Sequence, residues 1–422
     1  MTQQLVRPVI PVVVQQHAEE SAMLRHIRSV LVRAPHVKLH HLRRLDDRIA
    51  AHLDGLSVAG AYGTECATAA LARPGAGEVF AVAVRAIEDR DDKALDRLIA
   101  LAGALPDGKR GLLSAFGWVS AGQLQGIART LLVSDDPLRR EIGLAACRLH
   151  RTDPGAVLAS ALRDSRPPLM IAALRAAGEL GRIDLLEHVM AAMTEEAEDV
   201  VFWAARSACL LGERPASSKV LSALAQREGE RAEPALLLLL QAQAFEPARE
   251  QLRAASKAVD KPALKRRLIR GFGLLGDAQF LPWLVDLMAD DHLARLAGES
   301  FSMITGADLA ALDLERKPPE GFEARPNDDP EDENVAMDED DSLPWPDRDR
   351  IQRWWQARSA QMRADRRLFL GEPPTPEHCL RVLREGYQRQ RIAAARELCL
   401  LKPGTPLFAV CAPVWRQQRA LG

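Results

Sequence analysis

Apolar positions in the middle of the chain recur at steps of three and four, so Leu169, Ala172, Ala173, Ala176 and Leu180 fall on one face of a helix. The stretch just before them, DSRPPLM, offers Asp164 or Ser165 as a cap and Pro167 for the first helical turn. Gly181 ends the pattern, because glycine accepts the left-handed conformation of a helix C-cap cheaply. A second apolar segment, IDLLEHVMAAM, follows, and AQFLPWLVDLM repeats the arrangement further along. The polar and apolar positions thus predict pairs of helices.

These pairs recur. RAAGELG (Arg175–Gly181), RSACLLG (Arg206–Gly212) and RGFGLLG (Arg270–Gly276) each place an arginine six positions before a glycine. The step from Gly181 to Gly212 fits almost evenly twice between Gly212 and Gly276, so a degenerate copy should end near Phe245, where PALLLLLQAQAFEP fits. His150 lies one such step before Gly181, Gly306 lies one step after Gly276, and KRGLLSAFG ends at Gly117, a looser match one step earlier still. The period falls within the roughly 20–45 residues of helical-repeat units, and two helices per unit predict stacking, since one pair cannot bury its own apolar face. The predicted fold is all-α: an α-solenoid of HEAT-like helix pairs.

The flanks break the period. Residues 1–110 hold helices such as EESAMLRHIRSVLVRA and HHLRRLDDRIAAHLDGL and form a helical N-terminal cap to an array over 111–316. Residues 317–349 form an acidic, Pro-rich irregular segment, with six Pro between 317 and 347. Helices resume in the C-terminal region, 350–422, at RIQRWWQARSAQMRADRRLFLG and again in a further repeat-like unit, PEHCLRVLREGYQRQRIAAARELCLLKPG.

Composition narrows the function classes. Of 422 residues, 47% are hydrophobic, enough for a sizeable core, and only 5% are aromatic, which argues against an all-β protein. The formal net charge of −2 argues against a whole-surface grip on nucleic acid, so no direct nucleic-acid partner is expected. The longest apolar run, Pro234 to Leu240, is far too short to span a bilayer, and the opening MTQQLVRPVIPVVV is broken by Pro8 and Pro11 without a signal-like core. The expectation is a soluble, cytoplasmic protein with no membrane partner. Six scattered cysteines, with no C-x-x-C pair, read as small buried hydrophobes.

Catalytic chemistry is not legible. There is no G-x-S-x-G motif; Ser300 sits in GESFS inside a repeat helix, and Gly271 and Gly273 make only a bare G-x-G that allows close helix contact. His36 and His40 are four apart, followed by His41, but Val37 stands where a zinc-protease motif needs Glu. The expectation is a protein without catalytic residues, metal or cofactor. The recurring Arg175, Arg206 and Arg270 read as structural donors to a neighbouring unit's carbonyls or carboxylates.

One constellation stands out. Nine carboxylates crowd the stretch from Asp328 to Asp341: Asp328, Asp329, Glu331, Asp332, Glu333, Asp338, Glu339, Asp340 and Asp341. The chain after Asp341 is richer in basic than in acidic side chains. The acidic run can act as a solvated linker or fold back on the basic C-terminal region. It can also imitate phosphates and plug a basic site on a partner. Calcium would need the turn glycine and terminal Glu of a regular loop, which DDPEDEN lacks. Together with Trp345 in LPWPD, these nine residues are the candidate partner-binding site.

With these residues in view, the chain resembles the bacterial HEAT-repeat proteins found beside type VI secretion genes. The likeness lies in QHAEESAMLRHIR, RAPHVKLHHLRRLDDRIAAHLDGLSVAG, GEVFAVAV, ARLAGESFSMITGADL, DENVAMDEDDSLPWPD and PLFAVCAPVWRQQRAL. Bilin-lyase HEAT-like repeats are similar in the array but would not account for the C-terminal marks. The resemblance implies a cytoplasmic accessory protein linked to a secreted toxin and supplies no catalytic residue. Three roles follow as expectations: an immunity protein that binds and neutralises a co-encoded effector, such as a nuclease; an adaptor or chaperone that loads an effector onto the secretion spike; and, least of all, a lyase-like enzyme.

Overall fold

A computed structural model describes residues 9–256, 261–322, 338–362 and 365–422. Among them are 22 α-helices, a few short 3-10 turns and two isolated β-bridges, with no strand. The protein is all-helical. Packing divides it into two compact units, Met1–Ser207 with Gly404–Gly422, and Ala208–Pro403.

The first unit opens with α1 (Pro11–Leu31), α2 (Leu39–Val58) and α3 (Ala61–Ala69). Then come α4 (Ala76–Glu88), α5 (Asp92–Ala104), α6 (Pro106–Trp118), α7 (Ile127–Leu132), α8 (Pro137–His150), α9 (Ala156–Ala161), α10 (Pro167–Leu180) and α11 (Leu186–Ala191). α12 (Glu198–Leu210) crosses the unit boundary after Ser207. α1 begins well before Glu19, because Pro11 occupies the first turn, where a missing N–H is harmless. α4, α6, α8 and α10 pack each on the next, while α5, α7 and α9 pack against them. α10 is buried beyond its expected face, with Met170, Leu174 and Ala177 also inside, as befits a helix with neighbours on several sides.

Across α1 and α2, His17 Nδ1 lies 3.0 Å from His52 Nδ1. Burial, then the neighbouring His17 and Arg48, lower the pKa of His52 against a weaker opposing pull from Glu20. His52 is therefore harder to protonate in the fold than in the unfolded chain, which takes up a proton below about pH 6.5. The first unit should be fully stable above that pH and lose stability as pH falls through it. His52→Gln should flatten the dependence of the melting temperature between pH 8 and 5; an unchanged slope would contradict the assignment.

The second unit contains α13 (Pro215–Ala225), α14 (Ala232–Ala242), α15 (Phe245–Ser256), α16 (Pro262–Leu275), α17 (Leu281–Leu287), α18 (Ala294–Thr305), α19 (Arg348–Gln356), α20 (Pro376–Glu385) and α21 (Gln388–Leu401). α14 packs on α16 and α16 on α18, with α15 and α17 alongside. The helix expected over 350–371 stops at Gln356, and residues from 365 to 375 are irregular. The last helix, α22 (Val414–Leu421), belongs to the first unit and packs on α2.

Three of the repeat glycines do what their spacing predicts, whereas Gly117 lies inside α6, which runs on to Trp118. Gly181, Gly276 and Gly306 cap α10, α16 and α18 in the left-handed conformation, at φ 72°, 74° and 74°. Where the period falls on His150, the helix runs one position further and Arg151 takes that conformation at φ 56°. Three positions before two of these caps, Gly178 and Gly273 let the next helix approach. A Cβ at either would come within 3 Å of Ser207 or Ser300. The two serines donate from Oγ to Leu174 O (2.8 Å) and Ile269 O (2.9 Å).

The helix ends have a second partner that the repeat does not announce. In the first unit, Leu407 N–H donates to Glu179 O (2.9 Å), Arg151 Nε donates to Leu407 O (2.7 Å), and Arg416 donates to Gly117 O (3.1 Å) and Val119 O (2.9 Å). Buried Asp46 of α2 accepts from Arg28 Nε (2.6 Å) and from the Val414 N–H (2.7 Å), tying α1, α2 and α22 together. In the second unit, Leu368 N–H donates to Gly276 O, Leu370 N–H to Met303 O and Gly371 N–H to Ile304 O, each at 2.8 Å. The degenerate repeat has no terminal glycine, and α14 ends at Ala242. Its open carbonyls are met by one side chain: Arg367 donates to Leu240 O (2.6 Å), Gln241 O (2.6 Å) and Gln243 O (3.1 Å).

Candidate functional site

The acidic segment and the repeat arginines meet in the second unit. Arg266 and Arg270 are four positions apart on α16, hence on one face, and Arg295 opens the neighbouring α18. Arg389 lies in the first turn of α21. Arg266 donates to Asp340 Oδ1 at 2.6 Å, and Arg270 to Glu339 at 2.7 Å and Glu233 at 2.9 Å. Arg295 pairs with Asp338 and donates to Asp340 O at 3.0 Å. Arg389 pairs with Glu299 at 2.7 Å and donates to Glu339 O at 3.1 Å. The Asp338 carboxylate also accepts the Asp340 N–H at 2.9 Å, which turns the chain so that successive groups reach different arginines.

Burial is uneven across this seat. The Asp340 side chain is 3% exposed, that of Asp338 16% and that of Glu339 64%. The hydrogen bond from Arg270 holds Glu339 below the usual carboxylate range. Burial alone would raise Asp338, but the Asp340 N–H and Arg295 overrule it and lower it. Glu299 behaves oppositely: burial raises its pKa against the pull of Arg389 and Arg270.

Trp345 is buried in the same region, with the Arg295 guanidinium 4.6 Å and the Arg316 guanidinium 5.4 Å from its ring and Phe322 edge-on at 4.8 Å. Of the nine acidic candidates, Asp338, Glu339 and Asp340 are brought together on the arginines. Asp341 is exposed and accepts only from Ser342 Oγ, at 3.2 Å, among its described hydrogen bonds. Asp328, Asp329, Glu331, Asp332 and Glu333 lie outside the described residues. Arg266, Arg295, Arg389 and Glu299 are not among the candidates read from the sequence. The position of Arg266, one helical turn before the singled-out Arg270, was the available signal.

No protein-family model matches this chain, and no curated protein matches it. Among solved structures it is similar to a crystal structure of an engineered protein, at 13% identity and a TM-score of 0.33, over 71% of this chain and 90% of that one. A likeness at that score carries no argument.

The other two repeat arginines lie in the first unit. Arg175 and Arg206 flank the Trp203 ring, with guanidinium-to-centroid distances of 4.3 and 5.1 Å, and Arg206 lies 3.9 Å from Glu179. Arg148 and Arg151 each approach Glu179 to 3.1 Å. Burial would raise the pKa of Glu179, but these arginines outweigh it and keep the carboxyl ionised. A shallow cleft of about 580 Å³ lies beside α10 and α11, among Asp164, Met170, His188 and Glu195. Arg163 donates to His188 Nε2 across 3.1 Å there, and Asp164 is held low by its hydrogen bond from Arg166.

The remaining chemistry-bearing residues have structural surroundings. Ser300 is buried and spends its hydroxyl on Ile269 O. His41 accepts from the Lys38 N–H at 3.1 Å and its ring lies against that of His40. Burial pushes the Cys147 thiol up to about 11 and that of Cys379 up to about 12, so both are poor nucleophiles at neutral pH. Among the described residues, no three His, Cys, Asp and Glu side chains gather as a metal site, and no helix is long and apolar enough to cross a membrane.

Proposed function

We propose that this chain is a HEAT-like α-solenoid serving as a non-catalytic protein-binding scaffold in type VI secretion, and that it acts as an immunity protein. In this role it captures a toxic effector encoded beside it and blocks the effector's active site in the cytoplasm of the producing cell. The succession α4, α6, α8, α10 in one unit and α14, α16, α18 in the other, with shorter helices alongside, supports the solenoid reading. The residue-level resemblance supports the setting. What supports a binding role most directly is the seat of Asp338–Asp340, where arginines of three helices take up a polypeptide segment through both its carboxylates and its carbonyls.

Co-expression with the neighbouring effector gene tests the role. Growth rescue together with a stable complex is the expected result. A complex without rescue would favour the adaptor that delivers an effector to the spike, and neither result would overturn both roles. The acidic plug has a narrower test. Asp338–Asp340 are engaged by the chain's own arginines, so neutralising Asp328, Asp329, Glu331, Asp332 and Glu333 alone leaves that seat intact. If those five steer a basic effector cleft, association at low salt should slow about tenfold or more. An unchanged association rate and unchanged protection would reject the plug.

A further inference from the structure

The cluster of Arg266, Arg270, Arg295 and Arg389 carries more than the packing of one segment. Among the described residues, removing Asp338, Glu339 and Asp340 would leave these four arginines beside two carboxylates, Glu233 and Glu299. With an acidic segment seated on them their side chains are only 8% to 25% exposed, so the ion pairs of the occupied groove are partly dehydrated and stronger than at an open surface. From this geometry we propose that the cluster is a docking groove for an acidic polypeptide of a partner, occupied in cis by Asp338–Asp340 as an autoinhibitory stand-in.

Two features favour a polypeptide over another polyanion. Arg295 and Arg389 donate to the carbonyls of Asp340 and Glu339, so part of the recognition is of main chain rather than of charge. Trp345 then places an indole beside Arg295, an apolar anchor close to the charges that a phosphodiester chain would not supply in this form.

Two further features make the cis occupant exchangeable. Glu339 is 64% exposed, and an ion pair so close to solvent holds its partners only weakly. Arg295 is buried, yet among the described residues its Nε has no hydrogen-bond acceptor. A buried donor left unmet is costly, and a better-fitting acceptor would recover that cost. The cis segment nevertheless holds the groove against free peptide because tethering gives it an effective concentration of about millimolar. The groove would take such a partner whether or not the partner is a toxin.

The test is fluorescence anisotropy of a labelled peptide, DEDDSLPWPD, added in trans to the full chain. The vacated variant Asp338→Asn/Glu339→Gln/Asp340→Asn, checked for native circular dichroism, should bind it at least tenfold more tightly than the unaltered chain. Adding Arg266→Gln should remove most of that gain. If the triple variant fails to fold, Glu339→Gln alone should still give about a threefold gain. Equal binding by the unaltered and vacated chains would overturn the proposal and leave the contact a structural strap. So would equal binding of a peptide with its acids replaced by lysine, or tighter binding of single-stranded DNA of matched charge.

Discussion

Replacing Glu179 with alanine is expected to destabilise the first unit by about 3–5 kcal/mol, the range for removing one partner of a buried ion pair. The carboxylate lies at the end of α10, with Arg148 and Arg151 at 3.1 Å and Arg206 at 3.9 Å. Without it these guanidiniums repel one another in a site with little access to water. Glu179→Gln, which keeps the acceptor and the volume, should lose less. The pH dependence has a definite sign. The folded pKa of Glu179 is depressed, so its contribution is present above the unfolded value of about 4.3 and disappears as pH falls through the folded one. Urea unfolding followed by circular dichroism measures both effects; a loss below about 1 kcal/mol for the alanine variant would contradict the assignment.

The second large effect is expected at Gly276 and is best read against Gly155. The two share a positive φ, 74° and 72°, but Gly276 sits in the left-handed helical well at ψ 33° and Gly155 outside it at ψ −146°. A Cβ at Gly155 would meet nothing within 4 Å, so alanine there should cost only the backbone penalty of a conformation that glycine alone adopts readily, about 1–3 kcal/mol. A Cβ at Gly276 would lie inside contact distance of the Leu368 carbonyl. Relief requires lifting that segment, which breaks the Leu368 N–H bond to Gly276 O and loosens Leu370 and Gly371 on α18. Strain and lost hydrogen bonds together should bring Gly276→Ala to about 3–5 kcal/mol. Equal melting temperatures for the two variants would mean that the 368–371 segment contributes nothing at this helix end.

The same pair shows why the glycine period is so legible. Gly181, Gly276 and Gly306 answer to two constraints at once: the left-handed cap, and the close approach of Gly404, Leu368 and Leu370. Only the first is local. The sequence alone could therefore place the helix ends but not say what covers them. Arg367 shows the same limit from the other side. It reads as one basic residue among many in RADRRLFLG, yet it closes the end of α14, far earlier in the chain, where glycine is missing.

The candidate site divides in the same way. Its acidic half was visible, because a run of carboxylates without Lys or Arg is a compositional signal. Its basic half was not, since Arg266, Arg295 and Arg389 come from three helices and share a surface only after those helices pack. Trp345 was legible as an aromatic beside a charged stretch, while its burial between Arg295 and Arg316 was not.

Periodicity and punctuation by themselves determined that this protein is helical, where the helices closed by Gly181, Gly276 and Gly306 stop, and which short stretch carries its densest charge. These properties follow from the 3.6-residue turn, the left-handed tolerance of glycine and the residue types themselves, all set within a few positions along the chain. The tertiary structure alone decided which helix ends residues 367–371 and 404–416 cover and which arginines Asp338–Asp340 occupy. Those pairings join residues dozens to hundreds of positions apart, and hydrogen bonds and charges select such partners by distance in space.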